Sequence, residues 1–225
     1  MAKEQTEVKK VSRIKSKKKS WLKIMAPRVF GQKEIGESYV ASADSTIGRK
    51  LKINLKDLTG NVKDQNVYIG FQIIKVSGSV LTTALVSYEL TSSAVKRMVR
   101  KMTSRLDDAF TFQTKGGKTV VIKTLMITLH QAQRSQESQL RHELKNMLAE
   151  EITKNGFDNF VNALVNGRLH NLARKRLNKI FPVKELGIKL LKLKQTGLAQ
   201  EEWLAEHSEE PAAPAPAVSP EQVAA

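Results

Sequence analysis

Two strand-like runs, Val67 to Val76 and Val80 to Leu90, stand with only Ser77-Gly78-Ser79 between them, and no other stretch restricts the fold as tightly. They are the clearest strands of the chain. A connection this short joins only antiparallel neighbours, because a parallel return needs a crossover of about a dozen residues or more. The chain is therefore expected to build an antiparallel sheet around this hairpin. Phe110 to Thr114 and Lys118 to Leu129 form a second hairpin, whose Lys115-Gly116-Gly117 tip carries the glycines that a tight turn with positive φ requires. Tyr39 to Ala43 and Leu51 to Leu55 read as short strands, the latter running into the turn signal Asp57-Leu58-Thr59-Gly60-Asn61. Ile188 to Lys194 reads as a last strand that returns to the sheet with its lysines on the exposed side.

At Thr91-Ser92-Ser93 the period changes from two to nearly four. Val95, Met98, Val99, Met102 and Leu106 then line one face of a helix predicted over 92–106, behind a Ser/Thr cap. The other face holds Lys96, Arg97, Arg100, Lys101 and Arg105 with no compensating Glu. Like charges at i,i+4 each destabilise an isolated helix by about 0.2–0.5 kcal/mol, so such a face suits an external anion better than bare solvent. From Ser135 to Thr153 the spacing of Leu140, Leu144, Met147, Leu148 and Ile152 predicts a charge-balanced packing helix capped by Ser135. Gly156 ends it, and Phe157 to Val165 makes a short helix that Gly167 breaks. Arg168 to Phe181 follows, with Leu169, Leu172, Leu177 and Ile180 inward and Arg174, Lys175, Arg176 and Lys179 crowding its last turns.

The 225 residues suffice for one sizeable domain with tails, with boundaries expected at 1–20 for a basic arm, 21–197 for the domain and 198–225 for an acidic Ala/Pro/Glu tail. A formal charge of +16 and a pI near 10.0 point to a polyanionic partner. Six of the 22 acidic residues lie from Glu201 onward, where there is no Lys or Arg, so residues 1–200 hold 38 basic against 16 acidic side chains, a balance of +22. The charge is densest in Val8 to Lys23, where Lys9, Lys10, Arg13, Lys15, Lys17, Lys18, Lys19 and Lys23 meet no acidic residue. Such an arm has too little apolar surface to order by itself, and it gains a reason to order along a phosphate backbone, where each neutralised phosphate releases a counterion. The tail has the same shortage of apolar surface and is likewise expected to be disordered.

Catalytic and cofactor chemistry find no footing in the residues. There is no cysteine, hence no disulfide, thiol nucleophile or thiolate metal site. His130, His142, His170 and His207 show no metal-ligand spacing. Gly116-Gly117-Lys118-Thr119 resembles the end of a phosphate-binding loop, yet position 112 is Phe112 where the first glycine belongs, and a strand-like run follows where a helix should start. Asp107 and Asp108 are neighbours whose side chains diverge. No cofactor, small-molecule substrate or membrane partner is expected, the last because no apolar run approaches the roughly 20 residues of a bilayer span and the basic arm lacks the broad apolar face of a membrane-surface helix. Aromatic residues are sparse and no base-stacking strand motif occurs. Trp21, between Lys19 and Lys23, has two readings: a ring stacked on a base, or an anchor in an apolar pocket, which its neighbours Leu22, Ile24 and Met25 favour.

The segment KKKSWLKIMAPRVFGQKEIGESYV (Lys17 to Val40), the LKINLKDL stretch, the hairpin followed by a Leu-Thr-Ser helix, FTFQTKGGKTVVIK, and RKRLNKIFPVKELGIKLLKLK together resemble the small-subunit ribosomal proteins of archaea and eukaryotes called S three a, or S one e. The resemblance covers about residues 17 to 197, and Lys19 to Phe30 (K-x-W-x-x-x-x-A-P-x-x-F) is its most specific part. It implies an α+β fold with a mostly antiparallel β-barrel-like core and attached amphipathic helices. It also implies a non-catalytic, cytoplasmic, ribosome-bound role on the small-subunit platform, near the mRNA exit and the rRNA 3′ end. The partners it implies are small-subunit rRNA, neighbouring small-subunit proteins, and mRNA near the exit. The arm and both basic helices, with Trp21, Arg28, Lys115 and Lys118, are the residues expected to meet RNA. The rival expectation is a free RNA-binding or DNA-compacting protein, which needs the same charge.

Overall fold

The computed structural model describes residues 18–114 and 117–194. Residues 1–17, 115–116 and 195–225 lie outside it, and with them the expectations for most of the basic arm, the hairpin tip and the acidic tail; the end of the arm, Ser20 to Lys23, expected to be disordered by itself, is instead held in a strand because it pairs with the chain that follows. The chain opens with β1 (Ser20–Met25), β2 (Glu34–Val40) and β3 (Lys50–Asn54), which passes directly into α1 (Leu55–Thr59). Where the sequence reads as a turn, the Asn54 side chain accepts the Lys56 N–H and Gly60, at φ +77°, closes a single helical turn.

The central hairpin forms as expected. β4 (Val67–Ser77) and β5 (Val80–Leu90) pair antiparallel from Val67↔Leu90 to Ser77↔Val80, and Gly78 takes φ +60° in the turn. The helix that follows is shorter than its periodicity predicts. α2 (Ser92–Met98) is capped by the Thr91 hydroxyl, which accepts the Ala94 N–H, but Val99 is already extended at φ −73° and ψ 132°. Met102, at φ +59°, reverses the chain, and Arg105 opens β6 (Arg105–Gln113). Strand pairing overrides the helical pattern: Leu106 lies opposite Met126 and is fully buried in the sheet, a return that five like charges on an isolated helix cannot match. β6 pairs antiparallel with β7 (Thr119–Thr128) along its whole length.

α3 (Arg134–Val165) starts one residue before the expected Ser135 cap, because Gln133 and Gln136 make a reciprocal capping box in which the Gln133 N–H donates to Gln136 Oε1 at 3.1 Å. It breaks at Gly156 (φ 68°, ψ 175°), where the sequence places a helix end. α4 (Arg168–Leu177) stops four residues short of Phe181 and leaves Leu172 exposed, while Leu169 and Leu177 are buried. β8 (Val183–Leu193) starts five residues earlier than expected, and the Val183 N–H donates to Asn178 Oδ1 at 3.0 Å.

The strands follow the order β2-β1-β5-β8-β7-β6, with β3 and β4 attached at β5. β5 carries β4 along one edge and shares the other: its first residues, Val80 to Thr82, meet β1 in parallel, and its last, Ser87 to Glu89, meet antiparallel β8. This fork is why the core is an open sheet and not the closed barrel that the resemblance implies; among the described residues no ladder joins β2 to β6. The α+β class stands.

Helices cover the inner face. Leu140, Leu144, Met147, Leu148 and Ile152 of α3, with Leu169, Ala173 and Leu177 of α4, pack in one cluster with Val120, Ile122, Met126 and Leu191 of the sheet. Each such Leu, Ile, Val or Met side chain, when fully buried, contributes about 1.5–3 kcal/mol of hydrophobic stabilisation. On the outer face Val95 of α2 packs on Leu125 and Ile127 of β7. Leu22, Ile24, Val40, Ile73 and Leu81 form a separate cluster that binds the β1–β2 arm to the hairpin.

Candidate nucleic-acid interface

Alternation along β7 decides which basic groups share a surface. Val120, Ile122 and Met126 face α3 and α4, so Val121, Lys123, Leu125 and Ile127 face the other way. α2 sits over Leu125 and Ile127 at one end of that outer face, with Lys96 and Arg97 exposed. Arg97 donates to Asn66 Oδ1 at 2.6 Å, which fixes its guanidinium. Arg100 and Lys101 are exposed in the turn after α2, where the helix was expected to continue. Arg105 lies on β6 and is ion-paired with Asp107, so part of its charge is answered within the chain.

α4 belongs to the inner side. Arg168, Arg174, Lys175 and Lys179 are exposed there, and Arg176 reaches Glu150 of α3 at 3.2 Å. The basic segments 92–106 and 168–181, read from the sequence as one RNA-binding set, thus stand on opposite faces of the sheet.

At the β1 edge, Trp21 is not an anchor in a pocket. It is 64 % exposed and lies against Tyr39 of β2, its cross-strand partner, with ring centroids 4.8 Å apart. A strand explains this: Leu22 and Ile24 take the buried face, and the odd-numbered Trp21 is left outside. Lys19 Nζ stands 5.6 Å from the Tyr39 ring centroid, Lys18 is exposed, and Lys23 pairs with Glu34 at 3.3 Å. Arg28 is exposed in the short turn after Pro27, and Lys118 is half-buried at the base of the β6–β7 hairpin, where the Thr114 N–H donates to the Lys118 carbonyl at 2.9 Å. Lys9, Lys10, Arg13, Lys15, Lys17 and Lys115 lie outside the described residues.

A further basic group escapes the sequence reading. Lys50 of β3, Lys123 of β7, and Lys192 and Lys194 at the end of β8 line one cleft on the outer face, floored by Val121 and Leu190. None of the four forms an ion pair among the described residues, whereas neighbouring Lys52 holds Glu89 at 2.7 Å. The only signal was the row of lysines in IKLLKLK; no local pattern tells that β3 and β7 converge on it.

Acid–base and phosphate-loop chemistry do not assemble. Asp107 and Asp108 point to opposite faces of β6; Asp107 meets Arg105 and Asp108 meets Arg141 of α3 at 3.2 Å. Burial raises the Asp108 carboxyl above the ordinary carboxylate value despite the Arg141 guanidinium, and burial lowers the His170 imidazole against the inner face. The phenol of Tyr88 is pushed up, first by burial and then by Asp64. Thr119 opens β7, so no helix follows Gly117-Lys118 to aim amides at a phosphate. Among the described residues no three His, Asp or Glu side chains cluster as a metal site would need, and no helix is long and apolar enough to cross a membrane.

The sequence model of the Ribosomal S3Ae family matches residues 7–196, which include every strand and helix above. The chain belongs to that family. Among its relatives are proteins named Small ribosomal subunit protein eS1: that of Methanobrevibacter smithii is 33 % identical over 172 residues, 76 % of this chain and 89 % of the relative. That of Sulfurisphaera tokodaii is 32 % identical over 179 residues, 80 % of this chain and 93 % of the relative. The family match takes in the cleft lysines and all the basic residues singled out above; it ends before Glu201, so the acidic tail lies beyond it.

Proposed function

We propose that this chain is a non-catalytic constituent of the small ribosomal subunit. It binds small-subunit rRNA through phosphate and 2′-hydroxyl groups, contacts that position RNA without reading its sequence. The observation that carries the reading is the family match over residues 7–196, joined by relatives whose name places them in that subunit. The surface chemistry agrees with it: exposed Lys and Arg on two faces, with few carboxylates to answer them, suit a protein held between RNA segments. β1 with Lys18, Lys19 and Trp21, the α2 segment, and α4 are the elements we assign to RNA, with neighbouring small-subunit proteins, and mRNA near its exit on the platform, as further partners. The working location is the ribosome in the cytoplasm.

Sedimentation of a cell extract tests this. Co-migration with small subunits that persists through a high-salt wash is the expected result. A chain that stays at the top of the gradient, or that washes off while other subunit proteins remain, is a free RNA- or DNA-binding protein instead. RNA crosslinks on the intact particle then assign the faces.

A further inference from the structure

The outer-face cleft combines three properties that rarely coincide on a surface satisfied by its own chain. Its lysines lack carboxylate partners among the described residues, they come from three different strands, and the floor between them is aliphatic. Unanswered like charges held side by side repel one another, and this arrangement persists at a profit only where an anion is supplied from outside. Spacing says which anion. Lys192 near the end of β8 and Lys194 just past it are two residues apart, about 6.6 Å in an extended chain, and Lys123 stands diagonally from Lys192 across the β7–β8 ladder, roughly 7–8 Å away. The three ammonium groups therefore form a stepped row whose interval matches that of successive phosphates in an extended strand. Lys50 faces this row from the opposite wall.

The row sets the form of the ligand. One line of ammonium groups along neighbouring strands follows a single phosphodiester backbone. The floor holds Val121 and Leu190 and no aromatic ring, so bases are not stacked inside. A β-bulge places the row: successive partners on β8 are Leu190 for Lys123 and Ile188 for Thr124, so Lys189 is the extra residue. Beyond it, Leu190, Lys192 and Lys194 turn to the outer face while Leu191 and Leu193 stay in the core.

We propose that Lys50, Lys123, Lys192 and Lys194 form a binding cleft for the backbone of single-stranded RNA, distinct from the surfaces of α2, α4 and β1. The inference rests on the RNA-binding reading above and adds to it a site and a strandedness.

The test uses the full chain with K50Q, K123Q, K192Q and K194Q combined, a poly-U oligonucleotide, and an RNA duplex of equal length. Each lost phosphate contact lowers the salt slope of single-strand binding by about 0.7, so the variant is expected to lose up to about 2.8 of slope with poly-U and about one contact or less with the duplex. Arginine in place of lysine at the four positions should keep the parent's slope. A variant that keeps the parent's poly-U slope, or that loses duplex binding to the same degree, overturns the cleft while leaving the RNA-binding reading intact. A parent chain that binds neither RNA removes that reading and the cleft with it. Independently of any substitution, acetylation of the four lysines should be suppressed by poly-U and not by polyglutamate; protection by polyglutamate alone assigns the cleft to an acidic polypeptide and overturns the proposal.

Discussion

Replacing Gly156 by alanine probes how α3 is divided. Its backbone sits at φ 68° and ψ 175°, a region open to glycine and nearly closed to residues with a Cβ. A Cβ at this position would meet nothing within 4 Å, so the penalty is confined to the backbone itself. Holding alanine there costs about 1–3 kcal/mol, offset by about 0.4–1 kcal/mol because alanine has less freedom to lose on folding. The expected net loss is ~1–2 kcal/mol, which for a domain of this size lowers Tm by roughly 2–8 °C. Thermal and urea unfolding followed by far-UV circular dichroism measure it. Gly167, at φ 69° and ψ 1°, lies in the milder left-handed helical region, so Gly167→Ala should lose less. An unchanged midpoint for Gly156→Ala, or a larger loss at Gly167, would refute the account of the break. So would a gain in helical signal, which would mean that α3 runs straight through and that Phe160 and Val161 need no bend to reach the core.

Leu144→Ala removes a fully buried contact between α3 and the sheet and should destabilise the chain by about 2–5 kcal/mol in urea titrations. Asp108 binds its proton more tightly in the folded than in the unfolded state, so its contribution is full in acid and is lost as pH rises through the raised value. Asp108→Asn should abolish that slope, and at neutral pH the variant should be at least as stable as the parent, because exposed Arg141 gives up a pair worth no more than about 1 kcal/mol. Substituting Arg174, Lys175 and Lys179 by alanine, while leaving Arg176 on Glu150, should flatten the salt dependence of RNA binding by up to about 0.7–0.9 per lost contact, read by filter binding. Deleting residues 201–225, which hold six Glu and no Lys or Arg, should raise nonspecific RNA affinity at low salt; equal affinity would show that the tail does not screen the basic body.

Both hairpins were legible from the sequence because each is local: alternation marks the strands, and a connection of a few residues with glycine leaves one way to join them. The packing face of α3 was legible for the same reason, since all five residues from Leu140 to Ile152 named by their spacing are buried. The helix over 92–106 was misread because its apolar residues satisfy two periods at once. Val95 keeps its place on α2, while Leu106 is claimed by a ladder with β7 that the window around it does not contain. Trp21 was misread as an anchor because adjacency in sequence was taken for a shared environment, whereas successive residues of a strand face opposite ways.

What the sequence determined alone is the charge: a balance of +22 over residues 1–200 is a property of composition, and no folding changes the sum. It also determined the strands that pair with their neighbours in the chain. Tertiary structure decided everything that depends on which distant segments meet: the fork at β5 that leaves the sheet open, the parallel union of β1 with β5, and the separation of α2 from α4 on opposite faces. It also decided the meeting of Lys50 with Lys123, Lys192 and Lys194. The physical reason is range. Backbone preference and hydrophobic period act over a few residues, while a charged cleft is made by contacts between residues more than a hundred positions apart, as Lys50 and Lys192 are.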